Sequence, residues 1–196
     1  LTNSLVARNI ATNGRAGGIW VANTAELAVA NSTISGNLSK NAGGGIYFNS
    51  NTNRAALVNA TITANRADRL GTANQLGGGI YTTNGNVLLQ NTIVAGNFRG
   101  TGATASDIQG SVDPVSTHNV VGDTATAGGL ADGTNDNIVG QDPLLGPLRN
   151  NGGQSHTHAL LSSSPAIDAG DNALVLAPDG EPLWYDQRDR EFDRVI

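Results

Sequence analysis

Along the first half of the chain, apolar and polar positions alternate over short stretches, and the alternation returns at long intervals. Leu27 and Val29, Ala55 and Leu57, and Val87 and Leu89 each stand one residue apart, and each pair leads into an asparagine, Asn31, Asn59 or Asn91. A single apolar position follows each bend, at Ile34, Ile62 and Val94. A period of two predicts strands with one face buried, and no stretch repeats near 3.6 residues as an amphipathic helix would. The expected unit is therefore strand, bend, strand.

The whole unit recurs. Asn31-Ser32-Thr33-Ile34-Ser35-Gly36-Asn37 followed by Gly43-Gly44-Gly45-Ile46-Tyr47 matches Asn59-Ala60-Thr61-Ile62-Thr63-Ala64-Asn65 followed by Gly77-Gly78-Gly79-Ile80-Tyr81. Earlier come Asn3-Ser4-Leu5-Val6-Ala7-Arg8-Asn9 and Gly17-Gly18-Ile19-Trp20, and later Asn91-Thr92-Ile93-Val94-Ala95-Gly96-Asn97 without the glycines. The leading asparagines are 28, 28 and 32 residues apart. Repeats of this length build solenoids. Helical repeats do not tolerate this density of β-branched residues, Asn and Gly, and no leucine ladder is present. The pattern predicts an all-β, right-handed parallel β-helix, a β-solenoid of about 28–32 residues per coil. A degenerate fifth coil is expected in Asp107-Ile108-Gln109-Gly110 and His118-Asn119-Val120-Val121-Gly122. The organisation that follows is coils over 1–122, a polar loop over 123–141 and an irregular C-terminal cap over 142–196. Five of the six prolines lie in that last stretch, and a solenoid needs its last coil covered.

Stacked coils put like residues on like. Asn3, Asn31, Asn59 and Asn91 form one column, and Asn9, Asn37, Asn65 and Asn97 another. Asparagine tolerates a left-handed backbone at a bend, and its amide can bond the asparagine above and below, so both columns read as structural ladders. If Ile19, Ile46 and Ile80 face inward, Trp20, Tyr47 and Tyr81 face outward as an aromatic column that could stack on a glycan.

Composition removes several functions. Lys and Arg number 11 against 16 Asp and Glu, a net charge of -5, and no basic cluster exists, so nucleic acid is not an expected partner. With no cysteine there is neither a disulfide framework nor a thiolate site. No apolar run approaches the roughly 20 residues of a membrane span. The sequence begins with Leu1 and has no methionine, so it reads as a piece of a longer chain whose export signal and anchor are expected elsewhere.

Catalytic chemistry is sparsely represented. Glycoside hydrolysis needs converging carboxylates, and Glu26, Asp68 and Asp107 fall in different columns. Arg15, Arg54, Arg66 and Arg69 are not accompanied by the acidic cluster of a calcium-dependent lyase. Asp132, Thr134 and Asp136 alternate as calcium oxygens can, and Asp168 with Asp171 forms a second candidate. Both also suit ordinary turns. No cofactor is required, and calcium is the candidate cation. His156 and His158 alternate but lack a third ligand.

The C-terminal stretch carries a resemblance. Asp142-Pro-Leu-Leu-Gly-Pro-Leu, Asn151-Gly-Gly, Thr157-His-Ala-Leu-Leu, Ser164-Pro-Ala-Ile-Asp-Ala-Gly-Asp and Asp186-Gln-Arg resemble, in order, the terminal region of bacterial surface proteins described as choice-of-anchor Q domain proteins. The coils upstream resemble the right-handed, pectate-lyase-like β-helix such proteins share. The resemblance implies export and an extracellular or cell-surface location. The expected function is a structural or adhesive β-helix with extracellular polysaccharide or neighbouring surface-protein subunits as partners. Two alternatives stand beside it: a polysaccharide lyase or glycoside hydrolase whose catalytic residues lie mostly outside this segment, and a self-assembling filament or surface-layer subunit.

Overall fold

The computed structural model describes residues 1–50, 53–72, 74–84, 86–177, 180–189 and 192–193. It is a parallel β-solenoid of about four turns, built from four stacks of short strands. Sheet A has three strands, Leu27–Ala30, Ala55–Val58 and Val87–Gln90. Sheet B has six: Leu5–Ala7, Thr33–Ser35, Thr61–Thr63, Ile93–Ala95, Val120–Val121 and Ile138–Val139. In sheet C, Ile10–Ala11, Leu38–Ser39, Arg66–Ala67 and Phe98–Arg99 run parallel, and Thr104–Ala105 returns antiparallel. Sheet D stacks Ile19–Asn23, Ile46–Ser50, Ile80–Thr82 and Ile108–Gln109.

Register follows the apolar columns. Val29 pairs with Leu57 and Leu57 with Leu89; Ile34 pairs with Ile62 and Ile62 with Val94; Ile46 lies between Ile19 and Ile80. Slipping a strand by one residue would turn each of these side chains outward, so burial locks the register. Ile34, Leu57, Ile62, Ile80, Leu89 and Val94 are fully buried in one continuous core. Burying such a side chain stabilises by about 1.5–3 kcal/mol, so a column of like residues is the main source of coil-on-coil stability.

The two parts of the repeated unit meet in space. Asn9, Asn37 and Asn65 each donate both the backbone N–H and Nδ2 to Oδ1 of the asparagine one coil on, at 2.9–3.0 Å for the first two rungs and 3.1 and 2.9 Å for the third. Asn37, Asn65 and Asn97 also give Nδ2 to the carbonyls of Val6, Ile34 and Ile62. These fully buried amides are satisfied by one another and by the backbone. The space they occupy is made by the glycines: a Cβ on Gly18, Gly45 or Gly79 would crowd the ladder amide of Asn37, Asn65 or Asn97.

The other asparagine column is built differently. Asn3, Asn31, Asn59 and Asn91 hold left-handed backbone with φ of 50, 53, 52 and 49°, and His118 continues the corner at 55°. Within this column, Asn31 Nδ2 donates to Asn3 Oδ1 at 2.6 Å, while Asn31 and Asn91 turn their amides to a different part of the chain.

Two expectations change. Residues 123–141 are not only loop: Ile138–Val139 forms the last strand of sheet B, and a separate amide pair forms over Thr92, where Asn119 Oδ1 accepts from the Thr92 N–H and the Asn119 N–H and Nδ2 reach Asn137 Oδ1 at 3.1 and 2.9 Å. The two asparagines are 18 residues apart instead of 28, and the shortened coil hid the repeat. The C-terminal segment, expected as a lid over the end of the stack, makes its contacts on the flank. It pairs Leu145 with Leu160 and Arg149 with Thr157 in a hairpin, then runs along the outer face of sheet B. Residues 178–179, 190–191 and 194–196 of the expected cap lie outside the described residues.

Candidate functional site

Strand alternation sends Thr33 and Ser35 outward from sheet B, yet both are buried because the C-terminal segment lies over them. That segment acts as a strap tied to successive coils. Thr33 Oγ1 donates to Gln187 Oε1 at 2.6 Å, and Gln187 Nε2 reaches the Ser4 carbonyl at 3.1 Å and Ser155 Oγ at 3.0 Å. Asn31 Nδ2 donates to the Tyr185 carbonyl at 3.0 Å. Asn91 holds both backbone groups of one strap residue: Nδ2 donates to the Asp171 carbonyl at 2.8 Å, and the Asp171 N–H donates to Asn91 Oδ1 at 2.9 Å. His158 joins hairpin and stack, with Nδ1 2.7 Å from the Gly146 carbonyl and Nε2 2.9 Å from Ser35 Oγ. A carbonyl only accepts, so Nδ1 carries the hydrogen in that bond.

Between strap and stack lies a groove of about 610 Å³. Its floor is the outer face of sheet B and the left-handed corner column, including Asn59, Thr61, Ile93 and Val120. The strap and hairpin supply Leu160, Asp168, Asp171 and Arg188. Arg188 is paired with Asp186 through Nε at 2.9 Å and Nη2 at 2.6 Å, and its guanidinium lies over the Phe192 ring. The groove thus carries polar side chains along its floor and corners with apolar patches at Ile93, Val120 and Leu160, and the Arg188 guanidinium on its strap side is paired with Asp186.

The aromatic column of sheet D is in register, Trp20 beside Tyr47 and Tyr47 beside Tyr81. Its rings face one another. Tyr47 and Tyr81 stack with centroids 4.8 Å apart and planes 7° from parallel, Trp20 meets Tyr47 edge to face, and the Arg15 guanidinium lies 5.1 Å from the Tyr47 centroid. Tyr47 is only 4% exposed, whereas Trp20 is 60% exposed. A sugar stacks on an open ring face, so Trp20 is the member of the column that presents one.

The acidic candidates sit in turns. Asp132 Oδ1 accepts from the Val139 N–H at 2.9 Å, Asp136 lies 3.7 Å from His118 Nε2, and Thr134–Asp136 is a short turn broken by left-handed backbone at Asn135 and Asp136, φ 50 and 54°. Asp171 Oδ1 caps the 3-10 turn Asn172–Leu174 by accepting from the Ala173 N–H. Asp168 stands in the groove beside Asp171. Among the described residues, no three His, Asp or Glu side chains converge as a metal-holding group. Nor is any described helix long and apolar enough to cross a membrane.

No family model, curated protein or solved structure matches this chain. The function must therefore be argued from its own geometry.

Two features were not visible in the sequence. Asp107 ends the buried ladder: its Oδ1 accepts from Asn97 N–H and Nδ2 at 3.0 and 2.9 Å, and its Oδ2 accepts from the Asp123 N–H at 3.0 Å. Burial pushes its carboxyl up to about 6, against the pull of the Asn97 and Asp123 hydrogen bonds and with a further push from the Asp123 charge. The groove itself joins residues more than 100 positions apart, a separation no local pattern records.

Proposed function

We propose that the chain is a rigid segment of an extracellular or cell-surface protein with a structural or adhesive role, contacting glycan through the exposed face of Trp20. The observation that carries this reading is the continuity of register and ladder through consecutive coils, which makes a stiff shaft with few internal degrees of freedom. Its outward corners carry Asn, Thr and Ser, and charge is sparse. The terminal motifs from Asp142 to Arg188 support grouping it with the choice-of-anchor Q proteins and a right-handed, pectate-lyase-like helix, and that grouping is the basis for placing it outside the cell. The role needs no cofactor.

Retention of the purified chain on immobilised polysaccharides tests the adhesive reading. Trp20→Ala is expected to lower retention at least fivefold with an unchanged melting temperature, and no new sugar ends should be released during incubation. Equal retention by variant and parent would remove the Trp20 contact. Release of reducing or unsaturated ends would replace adhesion by catalysis.

A further inference from the structure

Charge is distributed unevenly along the chain. Residues 1–106 carry seven basic and two acidic side chains, a net of +5, whereas residues 107–196 carry four basic and fourteen acidic, a net of -10. No run of basic residues occurs in the sequence, but coiling collects them on one flank. In the outward column of sheet C, Arg66 stands in register with Leu38 on one side and Phe98 on the other, and Leu38 with Ile10, which is 57% exposed. The Phe98 ring and the carbonyls of Gly100 and Gly102 hold the Arg66 guanidinium in place. Arg99 lies beside Ala67 in the same sheet, and Lys40 and Arg69 follow it on successive coils, their N–H groups bonded to the Ala11 and Ser39 carbonyls at 3.0 Å. Arg8 occupies the corner between sheets B and C, where its Cγ would lie 3.6 Å from a Cβ placed on Gly36 of the next coil. Of the two acidic residues in these coils, Asp68 is 3% exposed and Glu26 lies just before sheet A. The flank therefore presents positive charge across four coils, about 15 Å at the strand spacing of a sheet.

The acidic half is presented on a different face. The strap exposes Asp142, Asp168, Glu181 and Asp193, and it is tied to sheet B through Gln187 on Thr33 and His158 on Ser35, so it does not reach the sheet C flank of its own molecule. We propose that the basic flank of one copy docks on the acidic strap of a second copy, building a side-by-side assembly. A free polyanion would use the flank alone, whereas a second copy uses both patches. The contact joins two different surfaces, so each bound copy keeps one free patch, and addition continues unless the rotation closes a ring. The net charge of -5 does not oppose the docking, because at about 0.1 M salt charges more than about 10 Å apart are screened and the facing patches decide the encounter. Opposed patches of this kind steer the approach and fix its orientation. Ile10, Leu38 and Phe98 add apolar contact in the same outward column. This docking does not rest on the Trp20 contact.

Sedimentation equilibrium of the 196-residue chain tests the docking at about 0.05 M and about 0.5 M salt, where surface charges are weakly and strongly screened. The parent's weight-average mass is expected to rise at least twofold with concentration at the lower salt and to stay at the monomer value at the higher. Arg8→Glu with Arg99→Glu reverses the flank, and Asp168→Lys with Glu181→Lys reverses the strap. Each double variant alone should sediment as a monomer at the lower salt. An equimolar mixture of the two should associate again, because one supplies an intact strap and the other an intact flank. A variant that had merely unfolded would not be rescued by mixing. A parent that stays monomeric at the lower salt, association that ignores salt, association unchanged in either variant, or a mixture that stays monomeric would each overturn the proposal. Retention of a monomeric parent on heparin, lost with Arg8→Glu and Arg99→Glu, would assign the flank to a polyanion and overturn it as well.

Discussion

Asp107 shows how one atom changes a ladder. The rungs at Asn37, Asn65 and Asn97 are amides that donate to a carbonyl of the coil below, but at Asp107 the chain turns back through Thr104–Ala105 and presents the Asp123 N–H instead. A donor there needs an acceptor, and a carboxylate supplies two. The placement is paid for in proton affinity, since a group only 1% exposed holds its proton up to about pH 6, against 3.8 for a free aspartate. The folded state therefore binds the proton more tightly than the unfolded state. Its stabilising contribution is complete below pH 3.8 and is lost as pH rises through about 6. A shift of about two units corresponds to on the order of 3 kcal/mol. Urea midpoints measured between pH 4.5 and 7.5 should fall with rising pH more steeply in the parent than in Asp107→Asn. Parallel slopes would show that the carboxyl does not titrate in this window.

At the scale of the repeated element, glycine and asparagine prove to be one device. Gly44 lies where a Cβ would run into the backbone of Gly78 and Arg66 on the next coil, well under 3.0 Å away. Gly102 has nothing within 4 Å. Gly44→Ala should therefore destabilise by about 3 kcal/mol or more, because backbone cannot move aside as a side chain can, whereas Gly102→Ala should leave the thermal midpoint within a degree or two of the parent. Equal midpoints for both variants would refute the close approach of coils. Much of this element was legible beforehand. Ile34, Ile62 and Val94 announce a buried column by their spacing alone, because burial and register depend on the same period of two. The ladder through Asn9, Asn37, Asn65 and Asn97 was equally plain. The rung at Asp107 and the amide pair of Asn119 and Asn137 were not, since an antiparallel return and a shortened coil break the spacing on which recognition of a repeat depends.

At the scale of the whole molecule, the strap decides which face of the shaft is free. Gln187 and His158 tie it to Ser4, Thr33 and Ser35, the coils farthest from it along the chain. Removing both ties in a His158→Ala, Gln187→Ala variant should speed cleavage of residues 142–193 by a nonspecific protease at least fivefold, while the far-ultraviolet spectrum of the coils stays unchanged. A cleavage rate equal to the parent's would mean that other contacts hold the strap. The sequence by itself determined the solenoid, its coil length, its inward columns and the outward direction of Trp20, Tyr47 and Tyr81, because these follow from periodicity, and periodicity is local. Only the tertiary structure decided that the rings of Tyr47 and Tyr81 cover each other and that the C-terminal segment lies along sheet B. Those outcomes depend on contacts between residues up to 183 positions apart, which are settled by packing and leave no periodic trace in the chain.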